Sequence, residues 1–184
     1  MYNYIIGNIT EINPNFVCLE NSGIGYKIIT PNPYSFKLND KLTMYLYQKV
    51  TDDSINLYGF KTLLTRELFI KLISVNGIGP KSANAILASG SVISITKAIE
   101  EGNAKYLQKF PGIGPKASQQ IILDLKGKID FEDTSVKTVN IIEVEEALKA
   151  LGYNGKEIRR ILPKLESDKS TSELIKDALA LMLK

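Results

Sequence analysis

Histidine and tryptophan are absent from this 184-residue chain, and cysteine occurs once. Without histidine there is no Ser-His-Asp or Cys-His activation of a nucleophile, and no histidine-bearing metal site. A single Cys18 cannot close an intrachain disulfide, and a reducing, cytoplasmic location fits it. Cys18 sits in Phe16-Val17-Cys18-Leu19, a strand-like apolar run, and is expected to be a small core residue. The first dozen residues hold no basic segment and no long apolar stretch, so neither a signal peptide nor a membrane span is expected. The P-loop pattern GxxxxGK[ST] is also missing, so the chain is not expected to hydrolyse ATP itself. No cofactor, metal ligand set or catalytic residue is expected.

What is present is a globular composition, 44% hydrophobic, with a net charge of only +3. The charge is uneven. Residues 1–62 hold five basic and five acidic groups, residues 63–130 nine and five, and residues 131–184 nine and ten. The middle stretch therefore carries the excess positive charge.

Residues 1–60 read as strands. Tyr4-Ile5-Ile6, Phe16–Leu19, Tyr26–Ile29, Leu42–Tyr47 and Ile55–Tyr58 are short and rich in β-branched and aromatic residues. Asn21-Ser22-Gly23 is a turn signal. Five strands in this length suggest a small barrel of the OB type, with a small sandwich as the alternative. From Thr62 the apolar period becomes helical, through Leu64, Leu68, Phe69, Leu72, Ile73 and Val75. A further short helix is expected at about Ile93 to Glu101. Residues 131–140 are polar and aperiodic and read as a flexible linker. A last unit over 141–184 is expected to hold three short helices. The first carries Val144, Ala147, Leu148 and Leu151 and is capped by Gly152; the second follows Asn154; the third follows the capping box Ser170-Thr171-Ser172-Glu173.

One five-letter stretch, GIGPK, occurs twice, at Gly77–Lys81 and thirty-five residues later at Gly112–Lys116. Each copy follows one helical stretch and opens another, so the segment is an internal duplication of a helix–turn–helix unit. Gly77 and Gly112 suit a positive φ, Ile78 and Ile113 suit core anchors, and Gly79 and Gly114 let something approach the backbone closely. Pro80 and Pro115 suit the first position of the next helix. The free N–H groups there, with Lys81 and Lys116 beside them, make an anion site, and two such turns fit two points on a nucleic-acid backbone. The alternative is that both turns serve packing alone. A dinucleotide fingerprint is not met, because Ser82 stands where a third glycine is needed.

With the barrel before them, closed by Leu57-Tyr58-Gly59-Phe60, these turns resemble the paired helix-hairpin-helix motifs of the RuvA family, the Holliday-junction-binding subunits of the bacterial branch-migration complex. Gly23-Ile24-Gly25-Tyr26, Leu68-Phe69 and Ala147–Tyr153 match as well, so the resemblance runs nearly end to end. It implies a multi-domain α+β chain: an OB-type β-barrel at 1–62, a tandem helix-hairpin-helix domain at 63–130, the linker, and a three-helix ATPase-docking bundle at 141–184. It implies a homotetramer or octamer on four-way junction DNA, with a RuvB hexameric ATPase as partner and a RuvC resolvase as a further one. Gly77, Ile78, Gly79, Lys81, Ser82, Gly112, Ile113, Gly114, Lys116 and Ala117 would grip the DNA backbone. Asp52 and Asp53, in the exposed turn Val50–Ser54, would form an acidic pin at the junction centre; read alone, they are an ordinary solvated turn. Leu148, Leu151, Tyr153 and Leu179 are candidates for the partner contact, although the first three are expected to be mostly core. Gln120 departs from the pattern, because relatives can carry arginine there.

Two other readings stay open. A helix-hairpin-helix glycosylase or nuclease would use Asp124, although the nearby Lys126 and Lys128 fit a surface helix face equally well. A single-strand or RNA-binding barrel would stack bases on Tyr2, Tyr4, Tyr45 and Tyr47.

Overall fold

The computed structural model describes residues 1–129, 143–162, 165 and 171–182. The expected linker, the start of the third unit near Ile141, and Ser170 of the capping box lie outside these residues. The chain divides into two compact units, 1–129 and 130–184.

Five strands open the first unit: β1 (Tyr4–Ile12), β2 (Phe16–Asn21), β3 (Ile24–Ile29), β4 (Lys41–Thr51) and β5 (Ser54–Phe60). They close a barrel in the order β1-β2-β3-β5-β4. Closure comes from one short parallel pairing, Ile28 with Leu57 and Ile29 with Tyr58; the other neighbours are antiparallel. This is the OB-type barrel that five short strands suggested, and the sandwich alternative falls. Ser22 and Gly23 both take positive φ, +52° and +84°, in the tight turn between β2 and β3, which matches the twist of a two-residue hairpin.

Ile9, Val17, Leu19, Ile28, Phe36, Met44 and Leu46 fill the barrel. Gly59 lets β5 lie over that core, since a Cβ there would overlap Ile28 and Met44. Alternation along β2 sends Val17 and Leu19 inward and leaves Cys18 half-buried in the wall. The expectation of a core cysteine is corrected on that ground.

The helices of the first unit are α1 (Leu63–Ser74), α2 (Pro80–Ser89), α3 (Val92–Glu100), α4 (Ala104–Leu107) and α5 (Pro115–Leu125). Thr62 caps α1 by accepting from the Thr65 amide at 3.2 Å. Leu64, Leu68, Phe69 and Leu72 form its buried stripe, and α1 packs on β4 and β5. The joint is aromatic. The Phe69 ring lies 4.8 Å from that of Phe60, 5.3 Å from Tyr58 and 5.6 Å from Tyr47. Arg66 adds a polar tie, donating to the Asn3 backbone carbonyl at 3.1 Å.

In the second unit, residues 143–150 form α6, followed by α7 (Gly155–Ile161) and α8 (Thr171–Met182). Val144, Leu148, Ile158, Ile161, Leu174 and Ala178 make its core. Gly152, at φ +90°, ends α6. The Gly152 amide donates to the Lys149 carbonyl at 3.0 Å and the Tyr153 amide to the Leu148 carbonyl at 3.1 Å, the paired bonds of a Schellman cap.

Candidate nucleic-acid interface

The duplication in the sequence is a duplication of hydrogen bonds. In the first copy the Ile78 amide donates to the Val75 carbonyl at 3.0 Å; in the second, the Ile113 amide donates to the Phe110 carbonyl at 3.1 Å. Gly77 (φ +85°) and Gly112 (φ +79°) occupy the third position of each turn. Neither Asn76 nor Pro111 before them has a positive φ, which makes both turns type II. Next, Ala83 donates to the Gly79 carbonyl at 3.0 Å and Ser118 to the Gly114 carbonyl at 2.9 Å. These are the first bonds of α2 and α5. Pro80 and Pro115 hold the first helical position. The amides of Lys81, Ser82, Lys116 and Ala117 precede the first intrahelical donor and have no acceptor within their helices.

Ile78 and Ile113 are each 5% exposed, so their side chains anchor the turns in the core and only their backbones reach the surface. Gly79 and Gly114 differ from the two turn glycines. Their conformations are extended (φ −93°, ψ 173° and φ −88°, ψ −177°), and any residue adopts them. A Cβ at either would meet no atom within 4 Å. Nothing among the described residues calls for glycine there, and the space in front of both backbones is open. Lys81 and Lys116 are exposed, and among the described residues neither ammonium is held in an ion pair. Ser82 and Ala117 are half-buried beside them.

Asp52 and Asp53 form the tip of the β4–β5 hairpin. The Thr51 hydroxyl closes the turn, donating to the Ser54 carbonyl at 3.2 Å. Below the tip, Val50 and Ile55 face each other across the strands and are 63% and 70% exposed, so the hairpin end projects from the barrel. Among the described residues neither aspartate has a hydrogen-bond or ion-pair partner. Two unneutralised carboxylates stand on that projection.

The remaining candidates separate. The Gln120 side chain donates to Asp124 Oδ1 at 2.9 Å along α5, so both are engaged within the helix. Among the described residues no group of three or more His, Cys, Asp or Glu side chains is gathered to hold a metal. Tyr2 and Tyr4 are 53% and 56% exposed, but Tyr47 is packed on Phe69 and is not free to stack a base. Leu148 is fully buried in its own bundle, which leaves it no surface for a partner contact. Tyr153 and Leu179 are half-buried against the same core. Leu151, expected in the core, is 60% exposed, because the cap folds Tyr153 rather than Leu151 back onto the bundle.

Sequence reasoning missed Thr30 and Asn84, which both line a cleft beside the first turn. They are fifty-four positions apart, and no local pattern links them. Among the described residues no helix is long and apolar enough to cross a membrane.

Three family models match the chain: the RuvA N terminal domain over residues 1–59, the SAM-like helix-hairpin-helix tandem over 69–127, and the RuvA C-terminal domain over 141–183. A protein of Acholeplasma laidlawii is 49% identical over 186 residues, with both chains covered completely. One of Lactobacillus johnsonii is 46% identical over 191 residues, again over the whole of both. One of Bacillus cytotoxicus is 42% identical over 201 residues, covering 100% of this chain and 98% of that protein. Each carries the description "Holliday junction branch migration complex subunit RuvA".

Proposed function

The chain belongs to the RuvA family, and on that footing we propose that it binds four-way DNA junctions, holds them open and presents them to a motor for branch migration in recombination and repair. The observation that carries this reading is the repeated turn. Two copies share their hydrogen bonds, offer unpaired amides and an exposed lysine, and keep a glycine that the fold itself does not require. Each copy suits one phosphate group, and neither offers a side chain that would read a base, so the grip is independent of sequence. Residues 77–82 and 112–117 are the clamps.

Asp52 and Asp53 give the preference for a junction. A carboxylate pair on a projecting hairpin repels phosphate. Continuous duplex laid across this face would meet that charge, whereas a junction offers a central opening that accommodates it. The chain itself is non-catalytic in this reading, and ATP hydrolysis belongs to a RuvB-type hexameric ATPase. The division of labour follows the boundaries 1–62, 63–130 and 141–184, with the last unit docking the motor through Leu151 and the exposed edges of Tyr153 and Leu179. Four copies around one junction would place one pin per arm at the centre, and eight as two facing layers would place two. A RuvC-type resolvase would act on the same open junction.

A gel shift at fixed salt tests the reading, with a four-way junction compared with linear duplex of the same arm sequences. Preference for the junction in one or two discrete bands is the expected result. Equal affinity for both substrates overturns the junction assignment and leaves a generic phosphate-gripping module. Deleting residues 141–184 should spare the junction shift and abolish motor-driven migration.

A further inference from the structure

The β4–β5 hairpin carries more than its acidic tip. β1 pairs with β4 only over Lys41–Tyr45, and β3 pairs with β5 only at Leu57 and Tyr58. Beyond those points residues 49–51 and 54–56 pair with each other alone, as a two-stranded ribbon with no strand on either outer edge among the described residues. The ribbon has two unlike faces. Alternation puts Val50 on the same side of β4 as Leu46, which fills the barrel, and Ile55 on the same side of β5 as Leu57, which packs against that core. Val50 and Ile55 therefore carry the apolar inner face of the barrel out into solvent, where they are 63% and 70% exposed. The other face is polar, with Lys49 and Asn56 directly opposite each other.

The apolar pair is not what closes the turn. The Thr51 and Ser54 hydroxyls lie 2.8 Å apart, and the Asn56 side-chain amide donates to Ser54 Oγ at 2.9 Å. Single exposed apolar residues are ordinary, but a directly opposed pair on an unbacked ribbon leaves a joined apolar surface in water. Its neighbours limit what can cover it. Asp52 and Asp53 at the tip repel any phosphate or carboxylate that comes close. The hairpin of a second copy would bring the same two carboxylates against them. A flat, uncharged, apolar surface meets no such opposition, and the face of a DNA base pair is one. Opening a four-way junction creates such faces, because each arm then ends its base stack at the centre. Apolar side chains laid against unstacked base steps are a general device of proteins that distort DNA.

We propose that Val50 and Ile55 form an apolar platform that covers the base pair at the inner end of an arm of the opened junction. The role rests on the junction binding proposed above. The hairpin then acts twice: its tip repels the backbone, and its inner face replaces stacking that opening removes.

Val50→Thr with Ile55→Thr keeps both positions β-branched, and so keeps the strand preference of the ribbon, while hydroxyls replace apolar surface. In the full chain this double variant should bind a four-way junction at least threefold more weakly than the parent and linear duplex as the parent does. A smaller loss on the junction, or an equal loss on duplex, overturns the platform. Permanganate reads the contact directly, because it oxidises a thymine whose ring face is uncovered. Thymines at the inner ends of the arms should react at least threefold faster on junctions saturated with the Val50→Ala, Ile55→Ala variant than on junctions saturated with the parent; equal rates overturn it. Sedimentation without DNA addresses the other occupant. V50T/I55T should assemble as the parent does, and a smaller assembly would assign the pair to a contact between copies instead. A parent chain with no preference for junction over duplex sinks the functional reading itself, and that result is read before any substitution is made.

Discussion

The Ile78 amide hydrogen-bonds the Val75 carbonyl at 3.0 Å, and this bond fixes the turn that leads into the free amides at the start of α2. It closes a type II turn around Gly77 at φ +85° and seats Ile78 in the core. Gly79 follows in ordinary extended backbone with open space around it. The two glycines therefore answer to different demands, and substitution separates them. Gly77→Ala forces a side chain into the left-handed region and should cost about 1–2 kcal/mol of stability. Gly79→Ala should leave the melting temperature unchanged and still weaken junction binding, because its methyl group meets only the incoming backbone. Melting curves and gel shifts on both variants check this; a Gly79→Ala protein that binds normally would remove the close-approach explanation.

Lys81 and Lys116 are exposed and stand beside unpaired helix amides. If each neutralises a phosphate on a duplex arm, each contributes about 0.9 to the log–log slope of affinity against salt. Lys81→Ala and Lys116→Ala should each flatten the slope by about that amount, and the double variant by about twice it. Titrations at several salt concentrations give the slopes directly. A weaker affinity with an unchanged slope would mean that the lysines act through structure rather than through charge.

The turns were legible in the sequence because their chemistry is local: glycine for a positive φ, isoleucine for the anchor, proline for a helix start. The barrel was legible as five apolar runs, but not its strand lengths. β1 continues to Ile12 through Asn8 and Glu11, residues that are depleted in strands, because it pairs with both β2 and β4. Cys18 could not be placed without the register of β2. Leu151 misled because helical period alone sends it inward, whereas the cap bonds of Leu148 and Tyr153 settle which side chain turns back. The cleft of Thr30 and Asn84 had no sequence signal at all, since it exists only where barrel and hairpin meet.

Asp52 and Asp53 have no structural partner to lose among the described residues, so neutralising them should not disturb the hairpin. Thr51 and Ser54, joined through a 2.8 Å contact between their hydroxyls, still close the turn. Asp52→Asn with Asp53→Asn should leave thermal stability within about 0.5 kcal/mol of the parent, the usual range for surface changes. The same variant should bind linear duplex several-fold more tightly and so lose much of its preference for junctions. Unchanged duplex affinity would return the pair to the status of a solvated turn.

Phe69 joins barrel to helices, and its ring is enclosed by Phe60, Tyr58 and Tyr47 at 4.8, 5.3 and 5.6 Å. Removing it takes away the centre of that cluster, and a Phe→Ala change in a core costs about 3–5 kcal/mol. Since the first turn lies just beyond the end of α1, the substitution should also loosen the clamp against the barrel. The chain has no tryptophan, and seven of its nine tyrosines, Tyr47 and Tyr58 among them, lie in residues 1–62, so tyrosine emission reports mainly on the barrel side of this joint while far-ultraviolet circular dichroism reports on the helices. In the parent the two signals should melt together; in Phe69→Ala the tyrosine signal should change first. The same cluster predicts a dependence on pH. Burial, and then the neighbouring Tyr47 phenol, raise the Tyr58 phenol above its ordinary value of 10.0. A raised value favours the neutral phenol in the folded state, so its contribution to stability is whole below pH 10.0 and is lost as pH climbs through the higher folded value. Tyr58→Phe should therefore flatten the alkaline decline in melting temperature. If both variants melt as the parent does at every pH, the aromatic cluster is not what binds the hairpins to the barrel.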